Sequence, residues 1–279
     1  MVNHSLSNQT DQVQPLASLV AYVGGKRKLA GQIVPEIESR PHNIYIEPFA
    51  GMASIFLARP HRAKVEVIND RSDEVYNFYR VIKNHPSEFR RQLAYSLTSR
   101  TEFKVSIDLH PAGLTDIQRA VRFYYLQRMG FAAKTNTRSI GINKGRGKQV
   151  GSDRFMSLVD SVHSRLKGVY IENMDWRDCL RYYDSASALF YLDPPYFGCE
   201  DYYNTRKGEQ FFTEADHAAL AETLMGLKGE WILSINDVPE IRELYSGRAL
   251  IKEVTTRYTI NQNSGDSMVT ELLILKPRS

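Results

Sequence analysis

The residues with the clearest chemical signature are Asp-Pro-Pro-Tyr at positions 193–196, directly after an apolar run at 188–192. The apolar run predicts a buried strand, which must end there because consecutive prolines cannot donate backbone hydrogen bonds. The Asp193 carboxylate, the Pro194 carbonyl and the Tyr196 ring are then held together at the carboxyl end of a strand. Open α/β sheets bind ligands at that edge, and this trio suits a flat ring that carries an amino group.

The same trio predicts chemistry on the amine of an adenine ring. Asp193 and Pro194 can accept both N–H bonds, which aims the nitrogen lone pair at an electrophile and stabilises developing charge. Tyr196 would stack on a base that has been flipped out of its duplex. The electrophile that fits is the methyl group of S-adenosylmethionine, transferred directly. Methylation at cytosine carbon 5 would need a thiolate, and neither Cys179 nor Cys199 lies in a Pro-Cys pair.

A cofactor site is predicted around Gly51. Residues 43–47 alternate like a strand and run into a turn and a helix, as at the start of a Rossmann-like unit. A single glycine is too few for a dinucleotide pyrophosphate, which needs several close N–H groups. A second strand at 65–68 leads to Asp70, placed to bind ribose hydroxyls, although a turn or helix cap is the plain alternative. With Glu47 at the first strand end, we expect S-adenosylmethionine as the cofactor.

The remaining pattern predicts the rest of the sheet. Further strands are expected at 169–172, 188–192, 231–235, 251–256 and 268–275, the last two as antiparallel partners. Trp176 follows the third of the predicted strands, where it could stack on the cofactor adenine or serve as a core residue. The polar, aromatic residues 199–212 are a candidate lid over the site.

A basic segment interrupts the alternation of strands and helices. Helical patterns at 88–96 and 115–129 dominate residues 85–164, and eight Lys or Arg with no Asp or Glu lie between Arg119 and Lys148. Such a segment suits a polyphosphate backbone; a solvated helix face with a loop is the alternative. We therefore expect a flexible tail at 1–18, a catalytic domain at 19–84 and 165–279, and an inserted recognition domain at 85–164.

Bulk properties set broad limits. The formal charge of +4 and pI near 8.9 permit a nucleic-acid partner. No apolar stretch is long enough to span a bilayer, and the N-terminus lacks a signal core. Two cysteines fit a reducing compartment and form no metal-site spacing. We expect a monomer in a bacterial or phage-infected cytosol, with neither membrane nor metal partners.

Six short motifs in order resemble the Dam-type DNA adenine-N6 methyltransferases of the α group, over most of residues 20–275. They are Tyr-Val-Gly-Gly-Lys at 22–26, Glu-Pro-Phe-Ala-Gly at 47–51, Asn-Asp at 69–70, Asp-Pro-Pro-Tyr at 193–196, Leu-Ser-Ile-Asn-Asp at 233–237 and Arg-Tyr-Thr-Ile at 257–260. The resemblance implies an α/β fold, a Rossmann-like S-adenosylmethionine-dependent methyltransferase sheet with an inserted, mostly helical target-recognition domain. It implies methyl transfer to N6 of adenine in double-stranded DNA.

The resemblance and the residue patterns together assign three sets of site residues. The catalytic set is Asp193, Pro194 and Tyr196. The cofactor-binding set is Tyr22, Gly25, Lys26, Glu47, Pro48, Phe49, Gly51, Asp70, Asp175, Trp176 and Asp193. The DNA-binding set is Arg128, Lys134, Asn136, Arg138, Lys144, Arg146 and Lys148. Relatives that read GATC carry Asn and Arg in the loop after residues 127–131, where this chain has Ala132, Ala133, Lys134 and Asn136, so these residues do not support a GATC target.

Other classes of protein remain as alternatives. Methyltransferases of RNA adenine or protein glutamine generally show Asn in place of Asp193, and DNA cytosine-N4 enzymes typically show Ser. A DNA-binding module without catalysis would not need the residues at 193–196.

Overall fold

A computed structural model describes residues 11–20, 25–130, 150–199, 212–258 and 267–278. Its helices are α1 Ala30–Glu38, α2 Ser54–Ala58, α3 Asp73–Asn84, α4 Pro86–Ala94, α5 Arg100–Asp108, α6 Asp116–Met129, α7 Asp153–Arg165, α8 Trp176–Tyr183, α9 Glu214–Gly226 and α10 Pro239–Tyr245. Its strands are β1 Ile44–Glu47, β2 Val65–Asn69, β3 Tyr170–Glu172, β4 Ala188–Leu192, β5 Glu230–Asn236, β6 Leu250–Tyr258 and β7 Ser267–Leu275. Short 3₁₀ turns lie at Lys26–Lys28 and Pro111–Gly113.

The seven strands form one sheet in the order β3-β2-β1-β4-β5-β7-β6. The first five are parallel, and β7 runs antiparallel to both β5 and β6. The order reverses between β1 and β4, which makes a doubly wound sheet with a switch point there. The Rossmann-like fold is confirmed, and every predicted strand is present with its ends within two residues.

Alternate residues of the strands enter two hydrophobic clusters, one on each face of the sheet. On β4, Leu189 and Tyr191 belong to the first cluster, and Phe190 and Leu192 to the second. Helices α1–α7 cover the first cluster, whereas α8–α10 cover the second. The sheet is therefore buried on both sides, and its carboxyl edge is where polar side chains from several strands can meet.

The helices α4–α7 lie where the sequence predicts an insertion. The pattern at 88–96 corresponds to α4, and α6 begins with a capping box in which the Thr115 hydroxyl and the Gln118 amide bond each other's backbone. Buried residues of these helices share the first cluster with α3. The domain boundaries at 85 and 164 stay a prediction.

A buried ion network joins α7 to the sheet. The Glu66 carboxylate of β2 accepts from Arg165 at 2.5 and 2.8 Å and from Arg59 at 3.1 Å. The exposed fractions of the three side chains are 3% for Glu66, 2% for Arg165 and 0% for Arg59. Arg59 also pairs with Glu38 at 3.1 Å, so the two guanidinium groups share the shielded Glu66 carboxylate without depending on it equally.

Glu66→Gln is expected to lower the free energy of unfolding by about 3–5 kcal/mol, because removing one partner leaves buried charge uncompensated. Urea unfolding followed by circular dichroism measures the loss. Glu88→Gln is the control, since Glu88 pairs with Arg91 on the surface of α4, and its unfolding midpoint should match that of the parent protein. Equal stability of Glu66→Gln and the parent would show that the network contributes nothing.

Candidate active site

Three acidic residues lie at the carboxyl ends of three adjacent strands. Glu47 is the last residue of β1, Asp70 directly follows β2, and Asp193 directly follows β4. Because β2, β1 and β4 are neighbours, these acids meet around the switch point, where doubly wound sheets bind their ligands. The sequence-based placement of all three at one edge agrees with this geometry.

Asp70 holds the glycine turn in place. Its Oδ2 accepts from the Gly51 N–H at 2.8 Å and its Oδ1 from the Ser72 N–H at 2.9 Å. Burial raises the pKa of the Asp70 carboxyl, against the lowering effect of these two backbone bonds. A carboxylate has about four acceptor directions, so Asp70 retains capacity for further donors such as ribose hydroxyls.

The turn itself has an unusual backbone. Gly51 has φ of +47°, and Ala53, at the N-cap of α2, has φ of +46°. The left-handed region costs a non-glycine residue roughly 1–2 kcal/mol, and such strain is typically found where function requires it. The tight turn brings the backbone close to the acids at the strand ends.

Asn69 connects two loops on this side of the sheet, a role that the sequence analysis missed. Its Nδ2 donates to the Pro48 carbonyl at 2.9 Å and the Met174 carbonyl at 3.1 Å, while its Oδ1 accepts from the Met174 N–H at 2.9 Å. A single side chain thereby fixes the loops that carry the predicted cofactor residues Pro48 and Asp175. The sequence signal for this role was an asparagine at the end of a predicted strand.

Glu47 is a buried carboxyl with a raised pKa. Its Oε1 accepts from the Tyr45 hydroxyl at 2.8 Å. Burial raises the pKa of Glu47 to about 8, and the negative charge of Asp193 contributes to the rise despite the opposing Tyr45 bond. A cationic group bound between Glu47 and Asp193 would favour the ionised form.

Asp193 is joined to a buried lysine. The Lys26 Nζ lies 2.5 Å from Asp193 Oδ1, 3.7 Å from Glu271 Oε2 and 3.0 Å from the Tyr196 hydroxyl oxygen. The Lys26 and Glu271 side chains are fully buried, whereas that of Asp193 is 22% exposed. Burial raises the pKa of Asp193 to about 6, although the Lys26 ammonium lowers it. The predicted catalytic residues Asp193 and Tyr196 are thus brought together, with Lys26 between them.

Asn236 fixes the backbone just beyond Tyr196. Its Nδ2 donates to the Phe197 carbonyl at 3.0 Å, and its Oδ1 accepts from the Phe197 N–H at 3.0 Å. The Cys199 N–H also donates to the Tyr196 carbonyl at 3.0 Å, and Gly198 supplies a φ of +74°. The turn after β4 is therefore anchored to the end of β5.

Two aromatic residues of the predicted cofactor site, Phe49 and Trp176, cluster with Phe212. The Trp176 ring centroid lies 6.4 Å from that of Phe49 and 6.2 Å from that of Phe212. Trp176 is buried, and the Arg177 guanidinium lies 4.3 Å from its centroid. Asp175 caps α8 by accepting from the Arg177 N–H at 2.9 Å. In the described structure Trp176 is a core residue next to the acids, and its stacking on a cofactor stays a prediction.

The basic segment is described only in part. Arg128 is exposed in the last turn of α6, whereas Arg119 pairs with Glu74 and Arg122 donates to the Ser106 carbonyl. Other predicted residues lie outside the described ranges: Tyr22, Lys134, Asn136, Arg138, Lys144, Arg146 and Lys148. Most of the candidate lid, at 200–211, lies outside them as well.

Two features are absent from the described residues. None of their helices combines the length and apolar character needed to cross a membrane. Within the same ranges, no group of three or more His, Cys, Asp or Glu side chains is placed to hold a metal ion.

The strand order, the glycine turn and the acids at the switch point define a Rossmann-like methyltransferase fold. The chain belongs to the D12 class N6 adenine-specific DNA methyltransferase family, whose family model matches residues 22–260. The resemblance inferred from the six motifs is thereby confirmed, and with it the activity of a DNA adenine methyltransferase.

Three relatives match most of the chain. Type II methyltransferase M.CviBI of Paramecium bursaria Chlorella virus NC1A is 26% identical, covering 92% of this chain and 98% of the relative. Type II methyltransferase M1.LlaDCHI of Lactococcus lactis subsp. cremoris is 25% identical, covering 93% and 95%. The Retron Ec67 DNA adenine methylase of Escherichia coli is 23% identical, covering 82% and 81%.

Proposed function

We propose that the chain transfers a methyl group from S-adenosylmethionine to N6 of an adenine flipped out of double-stranded DNA, at a specific site. The observation that carries this proposal is the position of Asp193. It follows the central strand β4, beside the acids of β1 and β2, in a turn fixed by Asn236.

The residues at the switch point fit the cofactor. Asp70 has acceptor capacity for ribose hydroxyls, and Gly51 keeps the turn close to it. The buried carboxyls Glu47 and Asp193 suit a ligand that carries positive charge, which S-adenosylmethionine has on its sulfonium and amino groups. Further contacts are proposed for Tyr22, Gly25, Lys26, Pro48, Phe49, Asp175 and Trp176. When bound, S-adenosylmethionine would supply an electrophilic methyl group that an amine lone pair can attack directly, with S-adenosylhomocysteine as the leaving group.

The catalytic residues are proposed to position the amine and stabilise its charge. The Asp193 carboxylate accepts one N–H of the adenine amine and the Pro194 carbonyl accepts the other, which directs the lone pair away from the ring plane. Positive charge that develops on this nitrogen is stabilised by Asp193, and the methylated nitrogen then loses one proton to solvent. Tyr196 stacks on the flipped base and holds the base in the orientation that both acceptors require.

Target recognition is proposed for the basic segment in α6 and beyond. Arg128 is exposed at the end of α6, and Lys134, Asn136, Arg138, Lys144, Arg146 and Lys148 follow it in the chain. Because phosphate contacts dominate affinity for DNA, we expect binding that weakens steeply with salt. We further propose that the chain acts as a monomer. A role in restriction–modification is proposed as well, because two relatives are named Type II methyltransferases.

Incubation with radiolabelled S-adenosylmethionine tests the reaction and the substrate class. Unmethylated duplex DNA, RNA and protein are offered separately, and labelled DNA is digested to nucleosides. We expect label in N6-methyladenine from duplex DNA, and loss of transfer as salt is raised. Sequencing of methylated DNA from expressing cells then gives the target site. Label in N4-methylcytosine, in RNA or on protein would contradict the proposal.

A further inference from the structure

A buried ammonium contacts the two side chains that are proposed to hold the target adenine. Lys26 Nζ contacts Asp193 Oδ1 at 2.5 Å and the Tyr196 hydroxyl at 3.0 Å, and it lies 4.6 Å from the centroid of the Tyr196 ring. These are the carboxylate and the ring that the proposed function assigns to the adenine. A base that enters the site must therefore compete with Lys26 for Asp193.

A second carboxylate lies near the same ammonium. Glu271 Oε2 is 3.7 Å from Lys26 Nζ, and the Glu271 side chain is fully buried in β7, opposite Asn236 of β5 and Val254 of β6. The next four residues of this strand are buried and apolar. A carboxylate in such surroundings is costly unless it is paired, and nothing in the proposed transfer step uses Glu271.

We infer that Glu271 is a positioning residue that acts through Lys26, by accepting the Lys26 ammonium when the target amine takes its place on Asp193. This inference rests on the proposed catalytic role of Asp193. The movement required is small, since a charge-assisted N–H···O bond is about 2.7–2.9 Å long and the present separation is 3.7 Å. The total charge of Lys26, Asp193 and Glu271 stays the same during the exchange.

The exchange also lets Asp193 stabilise the positive charge that develops on the adenine nitrogen. With its ammonium on Glu271, Lys26 no longer neutralises Asp193, so the full negative charge of Asp193 faces the adenine nitrogen. Without the Glu271 charge, the buried Lys26 ammonium would lose the carboxylate that accepts it when it leaves Asp193. The lysine would then compete with the substrate amine more strongly.

Glu271→Gln tests this inference, with Glu253→Gln on the neighbouring strand β6 as the exposed control. We expect Glu271→Gln to lower kcat/KM for DNA about 10- to 100-fold. This ratio measures the transition-state stabilisation that the variant loses. Affinity for S-adenosylhomocysteine, measured by calorimetry, should stay within about threefold, since no cofactor contact is assigned to Glu271. Glu253→Gln should retain the parent kinetics.

The acidic limb of the pH–rate profile gives a second readout. The charged and titratable groups around Asp193 are Lys26, Glu271, Glu47, Tyr191 and Tyr196. The Glu271 charge raises the pKa of Asp193 and the Lys26 charge lowers it. Glu271→Gln removes the first effect and strengthens the second, so the acidic limb should move to lower pH. Glu271→Asp, which keeps the charge, should restore the parent limb and most of the rate.

A double-variant cycle decides whether Glu271 acts through Lys26. In the Lys26→Met background, Glu271→Gln is expected to change kcat/KM by no more than about twofold, because coupled residues are not additive. An equal loss in both backgrounds, an unmoved acidic limb, or full activity of Glu271→Gln would overturn the inference. If the parent protein methylates no adenine, or if Asp193→Asn stays active, the proposed function fails instead.

Discussion

Asp193→Ala is expected to reduce kcat for methyl transfer by about 10³-fold or more. The loss follows because a preorganised acceptor aimed at developing charge is typically worth about 10²–10³ in rate, and Asp193 also orients the amine. Binding of S-adenosylhomocysteine, which lacks the sulfonium charge that Asp193 would face, should stay within about threefold, since Asp70 and the Gly51 turn are untouched. Methyl transfer to DNA and calorimetric titration of S-adenosylhomocysteine are the two measurements.

Two further variants keep the Asp193 result interpretable. Asp193→Asn preserves the shape of the side chain and should lose nearly as much activity, because the charge is what the reaction uses. Asp178→Asn alters an exposed carboxylate of α8 and should retain the parent rate. If Asp193→Ala lost cofactor binding while its melting curve stayed cooperative, Asp193 would belong to the cofactor site rather than to catalysis.

Asp70→Asn is expected to weaken binding of S-adenosylhomocysteine about 10- to 100-fold, or about 1.4–2.7 kcal/mol. The amide has only one acceptor oxygen, whereas the Asp70 carboxylate accepts from both Gly51 and Ser72. One backbone N–H would therefore face the amide NH₂ group, and the ribose would lose a charged acceptor. Calorimetric titration measures the affinity directly.

Kinetics at saturating S-adenosylmethionine distinguish a cofactor-binding defect in Asp70→Asn from a disrupted active site. We expect kcat to recover to within about threefold of the parent once S-adenosylmethionine saturates the enzyme. This is the result for an interaction that stabilises the ground state and the transition state equally. Asp73→Asn, an exposed acid in the first turn of α3, should bind the cofactor normally. Unchanged affinity in Asp70→Asn would remove Asp70 from the cofactor site.

The strands were predictable from the sequence because most of them are apolar or alternating runs bounded by turn residues. The turn at 193–196 and the acids Asp70 and Glu47 were found for the same reason, since polar residues at strand ends stand out against apolar runs. Helix α5 was missed because its apolar residues Phe103, Val105 and Ile107 alternate along the sequence, which is the period of a strand. In the structure Phe103 is buried and Ile107 packs beside it against the first cluster, so the helical contacts are not visible in the local pattern.

Glu271 was missed for a different reason. In the sequence it precedes an apolar run and looks like the polar edge of a strand, yet it is buried beside Lys26. The two residues lie near opposite ends of the described chain, and no local pattern records a contact of that kind. Lys26 was assigned to the cofactor through its motif; that contact stays a prediction, and the described structure places its ammonium at Asp193.

The position of β7 has a consequence for how the site is assembled. β6 and β7 pair along nine residues each and so form a local hairpin, which meets the parallel strands through β5. Hairpins form within about 1–10 µs, whereas docking onto β5 requires contacts that are distant in sequence and therefore slower. Local opening of this hairpin would separate Glu271 from Lys26 and leave β1 and β2 paired. Cofactor affinity and catalytic competence can thus be governed by separate opening equilibria within one sheet.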